Sequence, residues 1–257
     1  MERWKYFAIG HAQHTVCNPL SESKLDEGIE LLGVPSNGRV LDVGCGKAEL
    51  LVRCVRRFGC EGLGIDLSPP FVAEARARVQ AVGLSERILI REGDGRAHGE
   101  QAGSFDAACC LGASWIWDGF EPTLRALLAL TRDGGVVLVG EPFWRRPPSA
   151  AYLEATGWSA DSFGTHAGNV ATGCALGLRI LHTIVSSEDD FDRYEGYQWH
   201  ATERYAERAP QDPDLPDLLE TMRRSRESYL RWGREELGWA LYLFSKPKPS
   251  PGDAYSR

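Results

Sequence analysis

Apolar and polar positions along most of the chain switch between a helical and an extended period. Leu25, Ile29 and Leu32 recur at helical spacing behind Ser21, which suits an N-cap, and Gly33 closes that helix. Arg39-Val40-Leu41-Asp42-Val43 reads as a short apolar strand, Gly44-Cys45-Gly46 as a tight turn, and Ala48 to Phe58 as a helix with Leu51, Val52 and Val55 inside. Gly62 to Asp66 is the next strand and Pro69 to Val82 the next helix. Arg87 to Arg91 and Phe105 to Leu111 are strands, and Glu121 to Leu130 is a helix. Asp133-Gly134-Gly135 turns into a strand from Val136 to Glu141. Such alternation predicts an α/β fold with a doubly wound, mostly parallel sheet, whose ligands bind at the carboxyl ends of the strands.

The pattern changes in the last third. Leu178 to Val185 and Trp239 to Phe244 read as strands. Between them, Asp189 to Arg208 and Leu215 to Glu236 read as helices, separated by the proline-rich Pro210 to Pro216. The sheet is therefore expected to have seven strands, with a helical insertion of about fifty residues between the last two, long enough to imply a functional lid. Residues 1–19 read as irregular and carry His11, His14 and Asn18-Pro19. The expected organisation is an N-terminal arm and helix over the ligand (1–36), an α/β core (37–185), a substrate lid (186–236), a final strand (237–245) and a flexible tail rich in Pro, Lys and Ser (246–257).

Composition narrows the partners. The 257 residues are 43% hydrophobic and 25% charged, enough to bury a core without disulfides or metals. The net charge of -7 argues against a nucleic-acid binder, which needs a basic stripe to displace counterions. Arg223, Arg224, Arg226 and Arg231 alternate with Glu220, Glu227, Glu235 and Glu236 and read as a solvated helix face. The Cys residues show no CxxC pair or zinc spacing; Cys54, Cys109, Cys110 and Cys174 read as small core residues, as in a reducing cytoplasm. No signal peptide or membrane-length apolar run is evident, so the expectation is a cytoplasmic protein, monomeric or homodimeric, with no membrane or nucleic-acid partner.

The most informative stretch is Val40-Leu41-Asp42-Val43-Gly44-Cys45-Gly46, a buried strand ending in a glycine turn before a helix. Glycines admit a ligand close to the backbone, and helix N–H groups face it. Asp66, at the end of the next strand, is placed to accept from both ribose hydroxyls. A dinucleotide fingerprint needs a third glycine where Glu49 stands, and no phosphate-binding lysine motif is present. Asp42 would repel a pyrophosphate but suits a cationic amino-acid ligand.

As a set, these segments resemble the class I S-adenosylmethionine-dependent methyltransferases over about residues 37–145. The first motif is matched by Leu41-Asp42-Val43-Gly44-Cys45-Gly46, with Lys47-Ala48 replacing a frequent x-Gly. Asp66 matches the ribose acid, and Asp94 in Glu92-Gly93-Asp94-Gly95 the adenine-side acid. Ser104-Phe105-Asp106-Ala107, running into Leu111-Gly112-Ala113, matches the fourth-strand motif, and Gly134-Gly135 the turn before strand five. The resemblance implies S-adenosylmethionine as cofactor. Asp42, Gly44 and Gly46 would flank its methionine part, Asp66 would hold the ribose, and Leu67 would pack on adenine. Asp94 and Gly95 would meet the adenine amino group, and Leu111 and Gly112 would line the same pocket.

Methyl transfer from a sulfonium is an in-line displacement, so positioning supplies much of the rate, and a base is needed only for a protonated nucleophile. Three catalytic candidates stand out: His98 after the third strand suits a general base, Glu141 at the end of the fifth could orient a substrate hydroxyl or amine, and His14 lies on the arm; each is also readable as a surface or structural group. Trp115, Trp117 and Trp144 follow strand ends, and Tyr194 and Tyr197 share a face of the insertion; these could wall a substrate or pack the core. No cluster of oxygen ligands for magnesium follows strand four, so no metal is expected. The leading expectation is a methyltransferase acting on O, N or C of a small metabolite. The alternative is a non-catalytic nucleoside-binding sensor or partner subunit.

Overall fold

The computed structural model describes residues 3–97 and 99–249. Seven strands form one sheet in the order β3-β2-β1-β4-β5-β7-β6. They are β1 (Arg39–Val43), β2 (Glu61–Asp66), β3 (Ile88–Glu92), β4 (Phe105–Leu111), β5 (Thr131–Trp144), β6 (Arg179–Val185) and β7 (Leu237–Ser245). β1 to β5 run parallel, and β7 inserts antiparallel between β5 and β6. The order reverses between β1 and β4, which opens a crevice above their carboxyl ends. Every residue of β7 is buried, because the strand is paired on both edges and covered on both faces. β3 and β6 are the edges, and their exposed positions show it.

The helices are α1 (Arg3–Gly10), α2 (Glu22–Leu32), α3 (Glu49–Phe58), α4 (Pro69–Ala81), α5 (Phe120–Leu130), α6 (Ala150–Thr156), α7 (His166–Ala175), α8 (Glu188–Arg208) and α9 (Leu215–Ser228). α2 starts as expected, with Ser21 Oγ accepting from the Lys24 N–H at 3.3 Å. α3 buries Leu50, Leu51, Val52, Cys54 and Val55, and each fully buried leucine contributes roughly 1.5–3 kcal/mol. α8 and α9 form the insertion between β6 and β7, continued by a π turn over Tyr229–Gly233 and a last helical turn at Arg234–Glu236.

Several expectations are corrected. The segment read as irregular opens with α1, which packs on α4 and α8; its pattern is too short to register as a period. β5 begins at Thr131 rather than Val136, because Gly134 at φ +76° absorbs an irregularity opposite Phe105–Ala107. It also runs past Glu141 to Trp144, because β7 pairs with it as far as Leu237. Cys54, Cys109 and Cys110 are buried, but Cys174 is exposed on α7. Lys246, expected in the flexible tail, instead extends the sheet: its N–H donates to the Gly135 carbonyl at 2.9 Å and its carbonyl accepts from Gly134 N–H at 2.9 Å. The rest of that tail beyond residue 249 lies outside the described residues, as does His98. No helix among the described residues is long and apolar enough to cross a membrane.

Candidate active site

The crevice above β1 and β4 is built by the turn after β1. Gly44 has φ +74°, and a Cβ there would stand 2.5 Å from that of Ala113. Ala48 also takes a left-handed conformation, φ 61° and ψ 23°, so the loop keeps its shape without the usual glycine. The N–H groups of Gly44 and Cys45 bond the Ile65 carbonyl at 2.8 and 3.2 Å. At the end of β2, Asp66 accepts from Gly46 N–H and from Ser68 N–H, each at 2.8 Å. Both carboxylate oxygens keep a lone pair for a further donor. Burial raises the Asp66 pKa, and the N–H groups of Ser68 and Gly46 oppose that shift.

Asp42 is buried, and its Oδ1 has no partner among the described residues. Burial first, then the nearby Asp66 charge, push its pKa up to about 7. An acid in this state lacks a cation or donor, and a cationic ligand would supply one.

The walls come from the N-terminal arm and the insertion. Phe7, His11 and Asn18 of the arm and Phe191, Tyr194 and Glu195 of α8 line one cavity with Asp42, Gly44, Gly46 and Asp66. Its volume is about 320 Å³. His11 Nδ1 meets the Phe7 carbonyl at 3.0 Å, and its Nε2 meets Tyr194 Oη at 2.9 Å. A carbonyl can only accept, so Nδ1 carries the proton and the Tyr194 hydroxyl donates to Nε2. Burial, then the adjacent His14, lower the His11 pKa to about 4, so the ring is neutral at pH 7. Lys47, in the turn after β1, donates to the His11 carbonyl at 2.9 Å and pairs with Glu74 at 2.8 Å. The arm is thus tied both to the glycine turn and to α8.

The expected site residues divide. Asp42, Gly44, Gly46, Asp66, Leu111, Gly112, Trp115 and Tyr194 line the cavity together. Gly112 has φ +72°, and any side chain there would overlap the Asn18 carboxamide, so the arm packs directly on the β4 turn. Leu67 is 44% exposed beside Asp66, outside the cavity wall. Asp94 is exposed as well, and its Oδ1 accepts from Arg96 N–H at 2.9 Å. Gly95 is buried where a Cβ would collide with Val43, so its smallness serves packing.

Other expected residues are placed elsewhere. Side chains alternate between the faces of a strand. Asp42 of β1, Leu111 of β4, Pro142 of β5 and Trp239 of β7 share the cavity face, whereas Glu141 falls with Val137 and Val139 on the opposite face. There its Oε1 accepts from Ser114 Oγ at 2.9 Å, its Oε2 is unpartnered, and burial pushes its pKa up to about 7. Glu141 is therefore not positioned to orient a substrate hydroxyl or amine in the cavity. Trp144 belongs to an aromatic cluster with Tyr152, Trp158 and Phe163, and its indole N–H donates to the Ala160 carbonyl at 2.8 Å. Trp117 packs against the core beneath α5. His14 is buried behind the wall with Nε2 at 3.0 Å from the Tyr194 carbonyl, and Tyr197 meets it edge-on.

Sequence reasoning missed Phe7, Glu195 and Trp239 as site residues and passed over His11 in favour of His14. The one available signal was Phe7 and His11, four apart and so on one helical face. The role of Glu195 depends on how α8 folds back over the sheet, which no local pattern encodes.

A parallel sheet with a reversed last strand, a glycine turn after β1 and an acid ending β2 define the nucleoside-binding methyltransferase class. The chain belongs to the class I S-adenosylmethionine-dependent methyltransferase family. A family model described as a methyltransferase domain matches residues 40–135. The protein YjhP of Escherichia coli is 31% identical over 240 residues, covering 93% of this chain and 96% of that one. A methyltransferase from Geobacter sulfurreducens, solved with S-adenosyl-L-homocysteine, is 29% identical with a TM-score of 0.87, covering 93% of this chain and 97% of its own. One from Thiobacillus denitrificans, solved with the same ligand, is 31% identical with a TM-score of 0.86, covering 95% and 98%.

Proposed function

We propose that this chain transfers a methyl group from S-adenosylmethionine to a small molecule enclosed between the glycine turn, the N-terminal arm and α8. The observation that carries the reading is the unpartnered, buried Asp42 carboxylate beside Asp66 in a cavity walled by both lids. The residues fit the cofactor. Gly44 lets the turn pack on Ala113, Gly46 has open space where a Cβ would stand, Asp66 keeps acceptor capacity for a ribose, and Asp42 offers an uncompensated acid to a cationic amino acid. Leu67, Asp94 and Gly95 would border the adenine side, as the family pattern suggests. Bound there, the cofactor supplies a methyl group on a sulfonium, already activated for displacement.

What remains for the protein is to position the acceptor and exclude water. Tyr194 and His11 lock the arm against α8, and both side chains are neutral, so they close the cavity without adding charge. The aromatic wall of Phe7, Phe191 and Trp239 suits the apolar body of a metabolite and offers faces to a cation. A cavity this small suits a metabolite rather than a polymer, and the net charge of -7 points the same way.

Calorimetric titration with S-adenosylmethionine and S-adenosylhomocysteine tests the cofactor. Asp66→Ala removes the ribose acceptor and is expected to weaken both by roughly 100-fold or more, since two hydrogen bonds to a charged group contribute at least about 3 kcal/mol. Failure of the unaltered protein to bind either would overturn the reading. With binding established, release of S-adenosylhomocysteine across a metabolite panel distinguishes an enzyme from a sensor.

A further inference from the structure

One buried carboxylate in the cavity is not needed by the cofactor cradle. Glu195 lines the cavity from α8; its Oε2 is buried and makes no well-formed hydrogen bond, the Trp199 indole N–H one turn further along α8 being the neutral donor beside it, and no cation faces it among the described residues. The other charges on the wall are accounted for. Glu49 is paired with Arg53 and Arg78, Lys47 with Glu74, and Asp42 and Asp66 face the expected cofactor position. Glu195 forms no ion pair among the described residues. Its surroundings are aromatic. After burial itself, the Glu195 charge is what holds the Tyr6, Tyr152 and Tyr194 phenols above their ordinary pKa. A buried carboxylate among aromatic faces lacks a counter-charge, and an aromatic wall rewards a cation in particular.

We propose, building on the methyltransferase reading, that the acceptor substrate is a small amine and that Glu195 is the carboxylate that binds it. The amine enters as an ammonium ion, paired with Glu195 and flanked by Phe7, Phe191, Tyr194 and Trp239. A neutral alcohol could satisfy the lone pair on Oε2 but would leave the charge uncompensated. An ammonium nitrogen has no free electron pair, so it must first lose a proton, and Glu195 is the group in place to take it. Burial, opposed by the Trp199 indole N–H, leaves the pKa of Glu195 at about 7, which makes it a competent acceptor for that proton. The freed nitrogen lone pair then forms the N–C bond while the C–S bond breaks with its pair retained by sulfur. The positive charge leaves on the N-methylated ammonium, and Glu195 returns its proton to solvent.

The test uses the full chain saturated with S-adenosylhomocysteine, which has no methyl to give. Two pairs of probes of matched shape are titrated by calorimetry: tetramethylammonium against tert-butanol, and benzylamine against benzyl alcohol. The cations are expected to bind more tightly than their neutral partners. Glu195→Gln should weaken the cations by roughly tenfold or more and leave the alcohols unchanged. Glu195→Asp, which keeps the charge, should retain part of the preference and serves if the glutamine variant folds poorly. Equal binding of cation and alcohol, no cation binding, or an unaltered preference in Glu195→Gln would overturn the proposal. If S-adenosylhomocysteine itself fails to bind, the methyltransferase reading falls instead. The same probes titrated into the free protein then still judge Glu195.

Discussion

At the residue scale, the site rests on positions where no other side chain fits. Gly44→Ala would impose both a left-handed conformation on an alanine and a contact of 2.5 Å with Ala113. The conformation alone costs roughly 1–2 kcal/mol, and the overlap adds to it. The expected result is a melting temperature lower by several degrees and a loss of cofactor affinity, read by calorimetry on the folded fraction. A neutral outcome would mean that the turn relaxes away from Ala113. Such positions were legible in the sequence, because Gly44, Gly46 and Asp66 lie in one contiguous strand–turn–helix–strand unit whose chemistry is local. Glu141 was not. It stands at the expected end of the fifth strand, where it would be open to the crevice, but β5 continues to Trp144 along β7, so Glu141 keeps the strand's alternation with Val137 and Val139 on the face opposite to the cavity.

At the element scale, the parallel part of the sheet was legible because each strand and helix carries its own period. The closure of the site was not, because it is made by contacts between α1 and α8, which are nearly two hundred residues apart in the chain (His11 to Tyr194 is a separation of 183). That closure makes a distinct prediction. Tyr194→Phe removes the hydroxyl that donates to His11 Nε2 and leaves a buried acceptor unsatisfied. The expected destabilisation is about 1–2 kcal/mol. Because the lost contact joins the lid to the arm rather than to the sheet, the cofactor should also dissociate faster, with little change in association rate. Stopped-flow release of S-adenosylhomocysteine would show it. An unchanged release rate together with lowered stability would mean that the arm stays closed without this bond. Double substitution with His11→Ala should then add less than the sum of the single effects, since both remove the same bond.

At the scale of the whole molecule, buried acids and buried histidines oppose each other in their response to pH. Asp42, Glu141 and Glu195 are each held near 7 by burial. An acid with a raised pKa favours the folded state in its protonated form, so its contribution is lost as pH climbs from its unfolded value towards about 7. The Asp42 window runs from 3.8 to about 7. His11, lowered from 6.5 to about 4, has the opposite sign: the unfolded chain binds the extra proton, so stability rises with pH across that interval. His14 is lowered by burial as well and adds to the same side. The total curve between pH 4 and 6.5 therefore combines cancelling slopes and identifies none of these groups. The difference between the protein and its Asp42→Asn variant isolates one. In the absence of cofactor, the variant should gain stability relative to the parent as pH rises from 4.5 to 8, by on the order of 2–4 kcal/mol. With S-adenosylmethionine bound, a cation compensates the ionised acid and the relation should reverse, so that the parent is the more stabilised at pH 8. Parallel melting curves with and without cofactor at the two pH values measure both. If the stability difference stays flat with pH in the free protein, Asp42 is ionised even when the cavity is empty, and its unpartnered oxygen is not what draws the cofactor in.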